Sequence, residues 1–217
     1  VIPVFLAVGG VERNTIEVMK CIREHYDFCL LTLERHTKQQ GSLHYQLKGI
    51  CRYIFDLREI TEHDHFLECL FELNKIFHPQ LLWFCNNSPW LEKNLGKIQT
   101  VFKDSAIVMQ DAYDTKIGWI EYYNSPDIQN ADRYIAVTEL IKNTFIKKYK
   151  LPESKIDVIY SVIDDCRIKE VKNNSVSYEK LCQKYSLDPS KEHYAYVARL
   201  TEQKDPLRFL QLVYDIS

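Results

Sequence analysis

Three short segments carry the residue types that could contact a phosphorylated ligand, and each adjoins an apolar run of strand length. They are Gly9-Gly10 after residues 2–8, Gln110-Asp111 at the end of residues 105–110, and Arg199 with Lys204 after residues 193–198. Glycine lets a backbone approach a ligand closely. A polar pair at a strand end can contact a substrate, and two cations beside a helix start suit a diphosphate. These types predict a phosphate-binding site at the ends of strands.

Each segment also has a plain structural interpretation. Gly9-Gly10 also fits a tight turn between a strand and a helix, and Asp111 also fits the N-cap of a following helix. Arg199 and Lys204 also fit solvated surface cations. The dinucleotide fingerprint GxGxxG is absent, since no further glycine follows within residues 11–14, so a nicotinamide site is disfavoured.

The elements that must position these residues alternate along the chain. Strand-like apolar runs lie at 2–8, 27–33, 51–56, 80–85, 105–110, 133–138, 156–160 and 193–198. Helical periodicity lies near 10–25, 62–78, 115–129, 138–150, 175–185 and 205–217, with weaker patterns near 41–49 and 88–98. Strands that are apolar throughout fit a sheet covered on both faces. The alternation predicts an α/β fold with a doubly wound, mostly parallel, Rossmann-like sheet.

A polar stretch over residues 167–177 indicates a domain boundary. We predict a first domain over residues 1–165. Residues 166–217 are too few to form a core alone, so they predict a linker and the first helix–strand–helix of a second Rossmann-like domain that is only begun.

Bulk composition excludes several classes of protein. A formal charge of −2 gives no case for nucleic-acid binding, and no apolar run approaches the roughly 18–20 residues that span a bilayer. Seven scattered cysteines without a CxxC pair predict reduced thiols in the cytoplasm. The histidines and cysteines show no metal-ligand spacing, so no metal site is predicted. Only 6 of the 217 residues are glycine, which excludes low-complexity classes.

The chain resembles the family-4 retaining glycosyltransferases, which have the GT-B fold. Gly9–Arg13 resembles the family's GGxER loop. Ala131–Glu139 and Lys155–Asp164 resemble its alanine-aspartate strand, Ser/Thr-Glu helix and VIPNGVD segment, and Ala198–Asp205 resembles its GRLxxxKG segment. These segments lie in the family's order over most of the chain.

The resemblance implies transfer of a sugar from a nucleotide-diphosphate sugar to a glycan, lipid-linked or other acceptor. Configuration would be retained, the transferase would be of the hexosyl type, and the setting would be glycan or surface-polysaccharide synthesis. No cofactor besides the donor substrate, and no metal, is expected. The implied site residues are Gly9, Gly10, Arg199 and Lys204 on the donor diphosphate, Gln110 and Asp111 as the catalytic pair, and Ser161 near the donor sugar.

The resemblance also implies a division of labour between the domains. Residues 1–165 would be the acceptor-side domain and residues 166–217 the start of the nucleotide-sugar domain. The family's two glutamates, seven residues apart, would lie beyond Ser217. We therefore expect residues 1–217 alone to be inactive.

Departures from the family keep a second class of function open. Gln110 replaces the family's histidine, Ser161-Val162 replaces Asn-Gly, and Ala198 and Asp205 replace two glycines. The alternative is a non-catalytic, glycosyltransferase-like module that binds a sugar or a protein.

A lysine-rich helical pattern over residues 141–150 has two interpretations. Ile141, Phe145 and Tyr149 are four residues apart, which predicts a core-packed helix with a solvated lysine face. The other interpretation is peripheral contact with an anionic membrane, at its cytoplasmic face, that carries a lipid-linked acceptor.

Overall fold

Parallel strands and the helices between them make up the first of two units in a computed structural model of the chain. The structure describes residues 1–113, 119–163, 165–198 and 200–216. The chain divides into the units Val1–Asp164 and Asp165–Ser217, and each is described by itself.

Six strands of the first unit fall within or next to the predicted ranges. They are β1 (Cys29–Thr32), β2 (Tyr53–Asp56), β3 (Leu81–Phe84), β4 (Ala106–Asp111), β5 (Arg133–Ala136) and β6 (Ile156–Val158). The described strands pair in parallel, β1 with β2, and β3, β4, β5 and β6 in that order. The prediction of an α/β fold with a parallel, Rossmann-like sheet is confirmed.

The N-terminal segment lies between these two groups of strands. The backbone N–H of Leu31 donates to the Val1 carbonyl at 3.0 Å, and that of Ile2 donates to the Trp83 carbonyl at 2.7 Å. The long strand predicted over residues 2–8 is wrong, since regular pairing within this fully described segment is one bridge between Ile2 and Phe84. Pro3 follows at once and has no N–H to continue the ladder.

Helices connect the strands of the first unit. They are α1 (Gly10–Ile22), α2 (Leu57–Ile60), α3 (Phe66–Phe77), α4 (Pro89–Val101), α5 (Pro126–Gln129) and α6 (Glu139–Lys147). Short 3-10 turns lie at Lys38–Gln40, His44–Leu47, His63–His65, Ile120–Asn124 and Glu153–Lys155. Thr138 begins α6 by accepting a hydrogen bond from the Ile141 N–H at 3.2 Å, a standard N-cap contact.

The helix predicted over residues 115–129 is broken within its described part, residues 119–129. Residues 114–118 lie outside the described residues, and the remainder forms the 3-10 turn and α5. The break falls at Ser125, whose ψ of 131° is extended. Pro126 causes it, because a residue before proline is disfavoured in the helical region.

Buried residues cover both faces of the strands, as a doubly wound sheet requires. One face carries the larger cluster, which includes Phe84, Met109 and Phe145, and the other includes Ile16 and Trp83. This arrangement explains why the strands are apolar throughout. It also confirms the core-packed interpretation of α6, whose Phe145 is fully buried.

The second unit contains three helices among its described residues. They are α7 (Asp165–Asn173), α8 (Tyr178–Tyr185) and α9 (Pro206–Ile216), with a 3-10 turn at Glu202–Lys204. The polar stretch predicted as a boundary contributes most of α7, in which Lys169 pairs with Asp165 at 2.5 Å. The strand predicted over residues 193–198 is wrong, because this segment has no paired neighbour among the described residues and Val197 is 95% exposed.

No helix in the described part of the chain is both long and apolar enough to cross a membrane.

Candidate functional site

A cleft of about 330 Å³ lies where α1 begins and where β4 and β6 end. Its lining consists of one side of α1, the end of β4, the end of β5 and the loop after β6. The residues are Gly10, Val11, Arg13, Asn14, Glu17, Gln110, Ala112, Tyr113, Val137, Ser161 and Val162. The carboxyl ends of parallel strands share one edge of a sheet, and ligands bind there in open α/β folds. Gly10, Gln110 and Ser161, far apart in sequence, are thus brought together in one cleft.

The two adjacent glycines differ in what surrounds them. A Cβ atom on Gly9 would lie 2.1 Å from Oε2 of Glu12, whereas a Cβ on Gly10 would meet no atom within 4 Å. Gly9 therefore makes room for the buried Glu12 side chain. Gly10 leaves open space at the cleft, where a ligand can approach the backbone.

The start of α1 offers backbone donors to the cleft. Gly9 precedes the helix in an extended conformation, with φ −143° and ψ 170°, and has no side chain to cap it. The first N–H groups of a helix have no partner inside it, and the helix dipole favours negative charge at this end. The start of α1 can therefore bind an anionic group, with the exposed side chain of Arg13 nearby.

The loop after β6 is tied to α1 by one hydrogen bond. The Val162 N–H donates to Oδ1 of Asn14 at 2.8 Å, and Asn14 is almost completely buried. This contact holds Ser161 and Val162 at the start of α1. The role predicted for Ser161, near a donor sugar, remains a prediction that this placement accommodates.

Gln110 and its neighbour Asp111 face opposite sides of β4, since successive side chains of a strand alternate. Gln110 lines the cleft, and its Oε1 accepts a hydrogen bond from the Trp83 indole N–H at 3.1 Å. Nε2 of Gln110 is buried and has no partner among the described residues. The two N–H groups of this amide therefore lack an acceptor among the described residues.

Asp111 is fully buried on the other side of the strand and does not line the cleft. Its Oδ1 accepts a hydrogen bond from the Tyr113 N–H at 2.9 Å, which is a local turn contact and not a helix cap. Burial raises the pKa of Asp111 to about 8, although the N–H groups of Tyr113 and Ala112 oppose the rise and Glu121 adds to it. Burial, with Asp111 nearby, also raises the pKa of Tyr123.

The predicted diphosphate cations belong to the second unit. Arg199 lies outside the described residues. Lys204 ends the 3-10 turn Glu202–Lys204 and is exposed, and its backbone carbonyl accepts a hydrogen bond from the Tyr196 hydroxyl at 2.6 Å. Their role on a diphosphate stays a prediction.

A second groove, of about 520 Å³, lies beside α2 and is lined mainly by charged side chains. Nε of Arg35 contacts Oε1 of Glu59 at 2.9 Å, and Arg58 pairs with Glu62. These arginines are paired with acids of the same groove, which weakens their attraction for an anion.

Sequence reasoning missed Asn14 and Trp83. Asn14 follows the glycine loop and lies in the first two turns of α1. Its burial could be predicted only by knowing which face of the helix packs inward. Trp83 lies in a strand that reads as apolar, and its indole N–H needs a partner when buried. That need was the available signal.

Comparison with known proteins identifies a similar fold. No family model and no curated protein matches the sequence. Among solved structures, the chain is similar to the crystal structure of a glycosyltransferase from Rickettsia africae ESF-5, with a TM-score of 0.66 and 20% sequence identity. The chain has a glycosyltransferase-like fold. The similarity covers 100% of this chain and 57% of the other, so the chain spans little more than half the length of that structure.

Proposed function

We propose that this chain belongs to a glycosyltransferase that moves a sugar from a nucleotide-diphosphate sugar to a glycan, lipid-linked or other acceptor, with retention of configuration. One observation carries the proposal. The open start of α1 at Gly10, Gln110 at the end of β4 and the loop at Ser161 line a single cleft. The similar solved structure is that of a glycosyltransferase, and the proposal extends this activity class to the chain.

The start of α1 would bind the donor diphosphate. Bond cleavage between C1 of the sugar and the diphosphate oxygen leaves the electron pair on that oxygen, so negative charge grows on the leaving group while an oxocarbenium-like centre develops. Groups that interact more strongly with this charge than with the intact donor accelerate the reaction. A helix start contributes about 0.3–1 kcal/mol, up to ~2 kcal/mol in a partly buried site.

Arg199 and Lys204 would contribute the larger share of charge stabilisation. A hydrogen bond to a charged group contributes roughly 1.5–3 kcal/mol, which exceeds the effect of the helix start. The two cations serve the function that a divalent metal has in other transferases, so the proposal includes no metal.

Gln110 would contact the sugar or the acceptor. An amide does not titrate, so Gln110 supplies hydrogen bonds and no proton transfer. Asp111, predicted as its catalytic partner, is buried away from the cleft. We assign Asp111 to holding the end of β4 and do not route a reaction step through it.

A kinetic panel on the longest natural protein that contains this chain tests the proposal. Nucleotide-diphosphate sugars are offered with lipid-linked and free glycan acceptors, and NMR of the product reports the anomeric configuration. We expect transfer with retention, and a kcat/KM at least tenfold lower for Arg199→Ala and for Lys204→Ala, whereas the exposed control Lys191→Ala stays near wild type.

Each other outcome has a definite meaning. Transfer with a near-normal kcat/KM in Arg199→Ala contradicts the diphosphate assignment. Inversion of configuration contradicts the proposed reaction class. Sugar binding without transfer favours the non-catalytic module. A cytoplasmic role in polysaccharide synthesis, at a membrane that carries the acceptor, stays a prediction.

A further inference from the structure

A serine, a histidine and an aspartate lie in one hydrogen-bonded row at the ends of β1 and β2. The Ser42 hydroxyl contacts Nδ1 of His44 at 2.6 Å, and Nε2 of the same ring contacts Oδ2 of Asp56 at 2.8 Å. Oδ1 of Asp56 accepts a hydrogen bond from the Thr32 hydroxyl at 2.7 Å. None of these four residues is among the described residues that line the cleft at the start of α1. The proposed sugar transfer therefore leaves this row without a role.

The carboxylate of Asp56 determines which nitrogen of the histidine can act as a base. A carboxylate only accepts hydrogen bonds, so the Nε2 atom that it contacts carries the hydrogen of the neutral imidazole. Nδ1 is then an acceptor, and the Ser42 hydroxyl donates to it. Thr32 holds the carboxylate in turn, since it lies opposite Asp56 in the parallel pair of β1 and β2. Each side-chain contact of His44 thus has a definite donor and a definite acceptor.

The backbone around the serine and the histidine is held in place. Gly41 has a φ of 67°, and a Cβ atom there would lie 2.8 Å from the nearest side chain, so the turn before Ser42 requires glycine. Leu43 and Leu47, which flank His44, are completely buried. The His44 N–H also donates to the Ser42 hydroxyl oxygen at 3.3 Å. A base held in this way needs little rearrangement before it takes a proton.

The serine is open to solvent, whereas its base is partly covered. Ser42 is exposed, and the side chain of His44 is 33% exposed. The ring of His36 stacks on that of His44, with centroids 6.4 Å apart and planes inclined by 23°. A reagent can therefore reach the Ser42 oxygen while the imidazole remains in contact with it.

This arrangement is the one that activates a serine for nucleophilic attack. It needs a hydroxyl within hydrogen-bond reach of a base, and a third group that orients the base. The same roles recur on unrelated folds, and they are recognised by geometry and not by position in the sequence. The plain structural interpretation is that Ser42, two residues before His44, only stabilises the turn. That interpretation predicts a serine with ordinary reactivity.

We propose that Ser42 is a nucleophile that His44 activates and Asp56 orients, and that it takes the acyl group of an activated carboxylic ester. Oγ of Ser42 forms a bond to the carbonyl carbon, and the bond from that carbon to the leaving oxygen breaks. The electron pair of the broken bond stays on the leaving oxygen. The Ser42 proton passes to Nδ1 of His44 and from there to the leaving oxygen, so an alcohol is released and Ser42 is esterified.

Reaction with p-nitrophenyl acetate tests the proposal on the longest natural protein that contains this chain. Released p-nitrophenolate gives the rate, and mass spectrometry of peptides locates the acetyl group. We expect a rapid phase that releases about one equivalent per chain and acetylates Ser42. Ser190 is the matched control serine, because it is exposed and its hydroxyl donates directly to Oδ1 of Asp188 at 2.7 Å. It should stay unmodified during the rapid phase.

Substitutions along the row test the roles of its members. Ser42→Ala should abolish the rapid phase. His44→Ala should slow it by about a hundredfold or more, and Asp56→Asn by about tenfold or more. His25→Ala is the control, because His25 is an exposed histidine of the same unit, and it should react like the wild type. Urea unfolding followed by tryptophan fluorescence shows which variants are folded, and the exposed change Ser42→Ala keeps the test valid if another variant unfolds.

The outcomes decide the proposal without reference to a sugar. A wild type without acetyl on Ser42, or with Ser42 and Ser190 acetylated at equal rates, overturns it. A rapid phase that is unchanged in folded His44→Ala overturns it as well, since the serine then reacts without its base. No nucleotide sugar enters the assay, so failure here leaves the proposed function standing, and failure of sugar transfer leaves this inference standing.

Discussion

Replacing Gly9 with alanine should destabilise the first unit through one contact. The new Cβ would lie 2.1 Å from Oε2 and 3.1 Å from Cδ of Glu12. The backbone at Gly9 has φ −143°, which any residue adopts, so conformational strain adds nothing. Gly10→Ala is the matched control, because its Cβ would enter open space.

The expected sizes follow from packing. Glu12 is 8% exposed, so its carboxylate cannot simply turn into solvent, and crowding of a packed site costs about 1–3 kcal/mol. The alanine also reduces the conformational entropy of the unfolded chain, which raises the free energy of unfolding by about 0.4–1 kcal/mol. Gly9→Ala should therefore lower the free energy of unfolding by about 1.3 kcal/mol at the middle of these ranges, and by at most about 2.6 kcal/mol. Gly10→Ala should raise it by about 0.4–1 kcal/mol.

Urea unfolding followed by tryptophan fluorescence measures this difference. The three tryptophans, Trp83, Trp90 and Trp119, all lie in the first unit, so the signal reports that unit by itself. A double-mutant cycle with Glu12→Ala isolates the contact from the other interactions of Glu12. The coupling energy should be about 1 kcal/mol or more, since without the carboxylate Gly9→Ala has nothing to displace.

Two results would refute this reasoning. Equal shifts of the unfolding midpoint for Gly9→Ala and Gly10→Ala would show that the two glycines are equivalent. A coupling energy near zero would show that Gly9→Ala acts through something other than Glu12.

The remaining predictions concern packing, the loop after β6 and pH. Phe145→Ala should lower the free energy of unfolding by about 3–5 kcal/mol, because Phe145 is fully buried with its ring centroid 4.5 Å from that of Tyr123. In the same urea assay, the exposed control Lys147→Ala should stay within ~0.5 kcal/mol of the wild type. Asn14→Ala should accelerate hydrogen exchange of the Val162 amide by about fivefold, since a hydrogen bond of about 1 kcal/mol is lost. NMR measures this exchange, with Thr144→Ala as the control, and an unchanged rate in Asn14→Ala would disprove the contact. The pKa of Asp111 is about 8 in the native state and about 4 unfolded. The native state therefore holds a proton that unfolding releases, and stability should fall as pH rises from ~4 to ~8, by at most about 1.4 kcal/mol per pH unit. Asp111→Asn should remove this dependence of stability on pH. If Asp111→Asn and the control Asp104→Asn show the same dependence, the prediction is wrong.

Sequence patterns were sufficient to predict the parallel sheet and to single out three of the residues that line the cleft. Apolar runs predicted the parallel strands, and parallel strands end at a common edge, which brings Gly10, Gln110 and Ser161 together. The pairing of Gln110 with Asp111 as one site overlooked the strand period of two, which sends them to opposite faces. That signal was present in the sequence.

Other features depend on contacts that no local pattern encodes. The bond between Trp83 and Gln110 needs the register of β3 against β4. The bond between Asn14 and Val162 joins residues 148 apart, so nothing near either residue predicts it. The strand expected over residues 193–198 fails for the same reason, because a strand forms when a neighbour supplies hydrogen bonds, whatever its own apolar content.

The position of the N-terminal segment between two groups of strands sets an order of events during synthesis. Residues 1–4 hydrogen-bond to residues 31–34 on one side and 83–85 on the other. The segment therefore cannot pair with both groups of strands until the ribosome has released the chain past Cys85. Until then, one edge of the segment is unpaired. Such distant pairing slows folding and exposes unpaired edges to other chains. We expect nascent chains that end before Cys85 to stay sensitive to proteolysis, and chains that extend past it to become more resistant.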